Sequence, residues 1–135
     1  MVLLFTSCSS ITGGGSENNE ELYKAAIERY FTSVIEADTD TFLDSIDPLS
    51  NIYPPPDAIA DLRANWKDSA VPGEAVVQEL TILEESATKA KVKVRLFLRV
   101  DLDENGEFDE NTVFPTFELT FKDGIWRIFS VEAEQ

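Results

Sequence analysis

The sequence predicts an α+β fold in which three N-terminal helices pack on a curved antiparallel sheet of about four strands. Three observations support this prediction. Apolar residues recur at helical spacing before Pro72 and alternate strictly after it. A hydrophobic content of 43% is sufficient for a packed core. Helices followed by a run of strands are typical of α+β domains, in which the helices cover one face of the sheet.

Three helices are predicted in the first half of the chain. The first covers residues 20–37, and a second follows an N-cap at Asp38 and Thr39 and ends at Asp47-Pro48. Three consecutive prolines then exclude regular structure before a third helix at residues 57–67. The predicted apolar faces contain Leu22, Ala26, Ile27, Tyr30, Phe31, Val34 and Ile35, then Phe42, Leu43 and Ile46, then Ile59, Leu62 and Trp66.

Four strands are predicted in the second half. The clearest is residues 89–102, where seven apolar residues alternate with mostly charged ones, so one face is expected to be buried. Residues 74–83 form a plausible partner strand. Residues 113–121 also alternate, and Lys122-Asp123-Gly124 is expected to turn the chain into a last strand at 125–131.

Composition excludes several functions. A net charge of −15 argues against nucleic-acid binding and against a domain that lies flat on an anionic membrane. The absence of histidine removes Ser-His-Asp and Cys-His catalysis and the usual zinc, copper and iron sites. Carboxylate or tyrosine chemistry and oxygen-ligand metals remain possible.

Cys8 is the only cysteine and ends a short apolar run. The run Phe5-Thr6-Ser7-Cys8 resembles the end of a bacterial lipoprotein signal, in which the cysteine is acylated. Residues 9–19 have the composition of a flexible linker of roughly 20 Å. We therefore expect residues 1–19 to be a signal remnant and tether, residues 20–135 to form one domain, and the protein to be lipid-anchored in a bacterial cell envelope, outside the cytoplasm. The alternative is an unmodified N-terminus with an incidental cysteine.

The helical region resembles the nuclear transport factor 2-like superfamily, the cystatin-like cones that include ketosteroid isomerases and polyketide cyclases. The resemblance is carried by residues 25–31, Val34, Ala37-Asp38-Thr39-Asp40 and Phe42-Leu43, with Ala37 where the family usually has glycine. It implies a cone-shaped domain with a pocket between the sheet and the helices.

In isomerase-like members a tyrosine of the first helix donates a hydrogen bond to the substrate, and Tyr30 occupies that position. The resemblance also implies a general-base aspartate after the second helix, but residues 50–56 contain no acid. Tyr30 is therefore a weak catalytic candidate and is otherwise expected to be a core or pocket aromatic. The predicted pocket residues are Tyr23, Ile27, Tyr30, Phe31, Phe42, Trp66, Leu96, Leu98, Phe117 and Phe121.

The segment 101–109 resembles the first nine positions of a calcium-binding loop. Asp101, Asp103, Asn105, the Glu107 carbonyl and Asp109 stand at ligand positions, with Gly106 at the turn. Position 12 is Thr112 instead of an acid, and the flanks are strands. Weak calcium binding is one interpretation, and a solvated acidic turn is the other.

Five basic residues lie on one face of the strand at 89–102: Lys89, Lys91, Lys93, Arg95 and Arg99. They either bind an anionic ligand or acidic partner, or pair with carboxylates such as Glu79 and Glu118. Phe97 on that face, with Trp126 or Phe114, suggests a homodimer through the sheet. The leading prediction is a non-catalytic domain that binds a small molecule or a protein; the alternatives are an enzyme that uses Tyr30 and a calcium module.

Overall fold

The computed structural model describes residues 15–133. It contains three α-helices, one short 3-10 helix and a five-stranded antiparallel sheet. Cys8 and residues 1–14 of the predicted tether lie outside the described residues. The described helices include none that is long and apolar enough to cross a membrane.

The helices occur where the sequence predicts them, with different ends. Helix α1 is Gly15–Glu36, α2 is Thr39–Asp44 and α3 is Pro56–Asn65. Helix α1 begins five residues before the predicted start, so residues 15–19 are helical. The third predicted helix is divided, because a 3-10 helix at Trp66–Ser69 follows α3. Pro56 stands in the first turn of α3, where its missing N–H costs nothing.

A two-residue turn, Ala37-Asp38, joins α1 to α2. Ala37 has a φ of 55°, the left-handed conformation that favours glycine. The N–H of Asp38 donates to the Ser33 carbonyl at 2.9 Å, and the Asp38 carboxylate accepts from the Thr41 N–H at 3.2 Å. Asp38 is therefore the N-cap of α2, as the sequence predicts.

The sheet has five strands, and the prediction of about four is wrong by one. The strands are β1 Gly73–Glu85, β2 Lys89–Val100, β3 Asp109–Val113, β4 Thr116–Lys122 and β5 Ile125–Glu132. The order is β1-β2-β4-β5, and β3 also pairs with β2.

The extra strand results from a break at Phe114-Pro115. Strand β3 pairs with the end of β2, from Leu96 to Val100, and β4 pairs with the beginning of β2, from Lys89 to Lys93. Pro115 has no N–H for the ladder, although its carbonyl accepts from the Val94 N–H at 3.0 Å. One long strand is thus paired with two short ones, where the sequence predicts a single strand at residues 113–121.

The core lies between α1 and the inner face of the sheet. Alternate residues of β2 are buried, as the period-two pattern predicts, and residues of α1 cover them. Trp126 is also buried in this core and contacts Tyr23, with ring centroids 4.9 Å apart, so it does not belong to the outer face with Phe97. The fully buried large side chains include Tyr23, Ile27, Ile46, Leu96, Phe117 and Ile128.

The segment after α2 covers one edge of the sheet. Ile46 forms a parallel bridge to Ile128 of β5, and the Asp47 N–H donates to the Ile128 carbonyl at 2.9 Å. At the opposite edge, β1 has register irregularities at Val77/Glu79 and Ile82/Glu84. The Glu28 carboxylate of α1 accepts a 2.8 Å hydrogen bond from the Val77 N–H of this strand.

Candidate ligand-binding cavity

A cavity of about 390 Å³ lies between helix α1 and the inner face of the sheet. Phe31 contributes from α1, and Leu96 and Leu98 contribute from β2. The break between β3 and β4 forms another wall. The remaining lining residues are Thr112, Val113, Phe114, Pro115 and Ala133.

The chemistry of this cavity is that of an apolar binding site. Thr112 is the one polar residue of the lining, and none of the lining residues has an ionisable side chain. Small-molecule sites are typically apolar with a few polar groups that orient the ligand. The cavity can therefore hold an apolar molecule, and its described lining supplies no acid or base for proton transfer.

Tyr30 lies beside the cavity and not in its lining. Its ring packs edge-on against Phe31, with centroids 5.0 Å apart, and contacts Phe42 at 5.5 Å. Phe42 of α2 in turn contacts Trp66 of the 3-10 helix, with ring centroids 5.2 Å apart. These predicted pocket residues therefore form an aromatic cluster. Burial raises the pKa of Tyr30 above the ordinary tyrosine value of 10.0, which makes the phenolate still less accessible.

The other predicted pocket residues occupy two further places. Ile27 and Phe117 have 0% exposure and belong to the core, where Phe117 contacts Phe31 at 6.1 Å. Tyr23 of α1 and Phe121 of β4 both pack against Trp126, with ring centroids 4.9 and 5.2 Å apart. The structure thus brings Phe31, Leu96 and Leu98 together at the cavity and distributes the rest over neighbouring clusters.

Sequence reasoning did not single out the wall of the cavity formed by residues 112–115. A signal was present, because a proline interrupts the alternating pattern beside a phenylalanine. Phe114 is 45% exposed despite its size, so it stands at the rim of the cavity.

Asp47 is a buried carboxylate in the segment between α2 and α3, before the residues 50–56 in which the resemblance implies a general base. It is 5% exposed, and it accepts from the Thr120 hydroxyl at 2.6 Å and the Leu49 N–H at 2.9 Å. Burial alone would raise the pKa of Asp47, but these hydrogen bonds and the charges of Lys122 and Arg127 outweigh it and lower the pKa. Asp47 is absent from the cavity lining, so its contacts assign it to holding the loop against the sheet.

The loop after β2 folds around Asp101. This residue is 2% exposed, and its carboxylate accepts from the N–H groups of Asn105 at 3.1 Å and Gly106 at 2.7 Å. Gly106 has a φ of 88°, which glycine tolerates. Asp101 therefore organises the turn, and residues 15–133 include no cluster of three acidic, histidine or cysteine side chains able to hold a metal ion. Calcium binding by Asp101, Asp103, Asn105, Glu107 and Asp109 stays a prediction.

The outer face of the sheet carries a charge-balanced stripe, which we call the sheet stripe. Three of the five basic residues of β2, Lys91, Arg95 and Arg99, lie opposite acidic residues of β1, β3 or β4, whereas Lys89 and Lys93 lie opposite threonines. Arg95 forms an ion pair with Glu79 at 3.7 Å, and Arg99 forms one with Glu110 at 3.3 Å. The acidic members of the stripe are Glu74, Glu79, Glu84, Glu110 and Glu118.

The fold is shared with solved structures of several kinds. A nuclear transport factor 2-like superfamily protein from Salmonella enterica aligns with a TM-score of 0.62 and 14% identity, over 88% of this chain and 92% of that one. The association domain of CaMKII from C. elegans aligns with a TM-score of 0.67 and 13% identity, over 91% and 100%. A hexachlorocyclohexane dehydrochlorinase from Novosphingobium barchaimii aligns with a TM-score of 0.62 and 13% identity, over 91% and 90%.

These comparisons establish the class of the domain. The chain has the nuclear transport factor 2-like fold, also called cystatin-like, as the sequence resemblance predicts. The fold is used by association domains and by enzymes, and at these identities the likeness shows the fold alone. No protein-family model matches the sequence, and no curated protein matches it either.

Proposed function

We propose that this domain binds an uncharged, largely apolar small molecule in the cavity beside Phe31 and performs no chemistry on it. The supporting observation is the lining itself, in which every residue but Thr112 is apolar. An ionised ligand group would lose its hydration there without gaining a charged partner, at a cost of several kcal/mol. A cavity of about 390 Å³ falls within the usual range for small-molecule sites.

We further propose that the domain is held at a bacterial cell envelope by acylation of Cys8. The support is the sequence before and after the cysteine, because Phe5-Thr6-Ser7 precedes it and a Gly- and Ser-rich stretch follows. Multiple acyl chains on one residue anchor a protein stably, whereas one chain does not. Mass spectrometry of the membrane-extracted protein should find an acylated Cys8 at the N-terminus, and Cys8→Ala should release the protein from membranes.

The binding proposal is tested with the full chain and an uncharged fluorescent probe, N-phenyl-1-naphthylamine. The probe should bind saturably with one site per chain, because the cavity excludes water from its ring. Leu98→Phe and Leu96→Phe should each reduce its affinity, since the added ring atoms occupy the cavity. Native mass spectrometry of protein purified gently from cells then identifies the natural occupant.

Leu102→Phe is the matched control, because Leu102 is 64% exposed and stands outside the cavity lining. Its probe affinity should equal that of the wild type. Equal affinity in all four proteins, or binding that never saturates, would contradict the cavity as the binding site.

Self-association through the outer sheet face is a second proposal, favoured by the sheet stripe. Most contacts between two copies would place negative charges against each other, since the chain carries a net charge of −15. The stripe has five basic and five acidic residues, so two copies can meet there without net repulsion. Light scattering should find a dimer that Phe97→Glu disrupts, whereas Phe114→Glu, on the cavity rim, should leave it intact.

A further inference from the structure

The two ends of strand β2 differ strongly in charge. Residues 101–110, which follow β2, contain six carboxylates and no basic residue, and we call them the acidic end. Strand β2 is 12 residues long, so its other end lies about 35 Å away. The domain therefore has a charge asymmetry along the strand direction.

The opposite end consists of residues 19–24, 84–91 and 120–125, and we call it the hairpin end. Strand pairing places Lys89 beside Thr120, and the Phe121 N–H donates to the Thr88 carbonyl at 2.9 Å, so two turns of the sheet lie together. The hairpin end has four lysines and five carboxylates. It is almost neutral, in contrast to the acidic end.

Within the part of the chain that the structure describes, three of the four lysines of the hairpin end are not in ion pairs. Among the described residues, Lys89, Lys91 and Lys122 form no ion pair, whereas arginines 29, 63, 95, 99 and 127 all do. Two large apolar side chains are exposed at the same end, Leu22 by 50% and Phe121 by 39%. Lysines beside exposed apolar groups suit contact with lipid headgroups.

The start of helix α1 is fixed at the hairpin end. The Asn19 amide donates to the Glu85 carboxylate at 3.1 Å, and the Tyr23 hydroxyl donates to the same carboxylate at 2.6 Å. The chain that leads from Cys8 therefore joins the domain at the hairpin end and not at the acidic end. A membrane anchor at Cys8 brings this end closest to the lipid.

We propose that the hairpin end faces an anionic lipid surface and that the acidic end points away from it. This inference rests on the proposed anchoring through Cys8. A free chain of net charge −15 would be repelled by such a surface. An anchor keeps the domain at a high effective concentration beside the lipid, so the repulsion no longer prevents contact. The negative surface potential of the lipid then selects the orientation, because turning the acidic end toward the lipid would bring six carboxylates close to it.

The test uses the single cysteine as a chemical anchor, which makes it independent of acylation in cells. The full chain is coupled through Cys8 to maleimide-bearing lipid in phosphatidylcholine vesicles with and without phosphatidylglycerol. Trace labelling with a water-soluble amine reagent is then quantified residue by residue by mass spectrometry. On anionic vesicles the labelling of Lys89 and Lys122 should fall roughly fivefold relative to Lys93 in the middle of β2.

Controls separate orientation from anchoring. The double variant Lys89→Glu, Lys122→Glu should lose the orientation. The readout is Lys91, whose labelling should no longer fall on anionic vesicles. Arg63→Glu, Arg95→Glu makes the same change in net charge away from the hairpin end and should retain the protection. Unchanged labelling on anionic vesicles, or equal protection of Lys91 in both double variants, would overturn the proposal. A native protein without acyl groups on Cys8 would refute the anchoring alone.

Discussion

The hydroxyl of Tyr23 donates a 2.6 Å hydrogen bond to the carboxylate of Glu85. This contact joins the first turns of α1 to the last residue of β1, across 62 positions of sequence. Tyr23 is fully buried, and its ring packs against Trp126. One side chain thus connects the helix layer to two strands and sets where the chain enters the domain.

Tyr23→Phe should destabilise the domain by about 1–2 kcal/mol, because it removes a hydrogen bond to a charged acceptor and keeps the ring. Urea denaturation measures the change. Tyr53→Phe is the control, since no hydrogen bond of the Tyr53 hydroxyl is found within the described residues. A loss as large in the control would refute the assigned role of the Glu85 contact.

The same pair predicts a loss of stability in alkali. Burial, the hydrogen bond to Glu85 and the Glu85 charge raise the pKa of Tyr23 above its ordinary value of 10.0. The stability that the protonated Tyr23 hydroxyl contributes is fully present below the pKa that this tyrosine has in the unfolded chain. This stability is lost as the pH rises above that value. Wild-type stability should therefore fall from about pH 10 upward more steeply than that of Tyr23→Phe.

Asp47→Asn should destabilise the domain at neutral pH by about 1–3 kcal/mol, because the carboxylate is held by Thr120 and the Leu49 N–H. The pKa of Asp47 is lowered from 3.8, so its stabilisation is present above that value and is lost as the pH falls toward the folded pKa. Denaturant titrations at neutral pH and near pH 3 should show the difference shrinking in acid. The exposed Asp57→Asn should show little effect at either pH.

Ala37→Gly should stabilise the domain by about 0.5–1 kcal/mol, since Ala37 has a φ of 55° that glycine adopts without strain. Thermal unfolding measures the gain. Ala70→Gly, where φ is −61°, should destabilise instead. A destabilised Ala37→Gly would show that the buried methyl group contributes more than the strain costs.

Phe117→Ala should cost about 3–5 kcal/mol, because Phe117 has 0% exposure and its removal leaves a cavity beside Phe31. Phe121→Ala should cost less, since Phe121 is 39% exposed. Both were predicted from the same alternating pattern, and comparison of their denaturation midpoints tests whether only one belongs to the core.

The alternation from Lys89 to Val100 and the turn at Asp123-Gly124 could be predicted because they depend on local periodicity and turn chemistry. The division of β3 from β4 could not, because both pair with one strand far away in sequence. The cavity was predicted only in part for the same reason. Phe31, Leu96 and Leu98 follow an apolar pattern, whereas Thr112 is brought to the cavity by the pairing of β3 with β2, and Ala133 follows the end of β5.

The edge strand β1 has features that limit its pairing with a strand of another chain at high protein concentration. Its two register irregularities and the Glu28 carboxylate at Val77 interrupt the row of backbone groups that another chain could extend. On the β5 side, Ser45 and Asp47 take up both backbone groups of Ile128, so that edge is interrupted in its middle. Glu28 thus occupies a backbone donor that strand addition at β1 would need, besides joining α1 to the sheet.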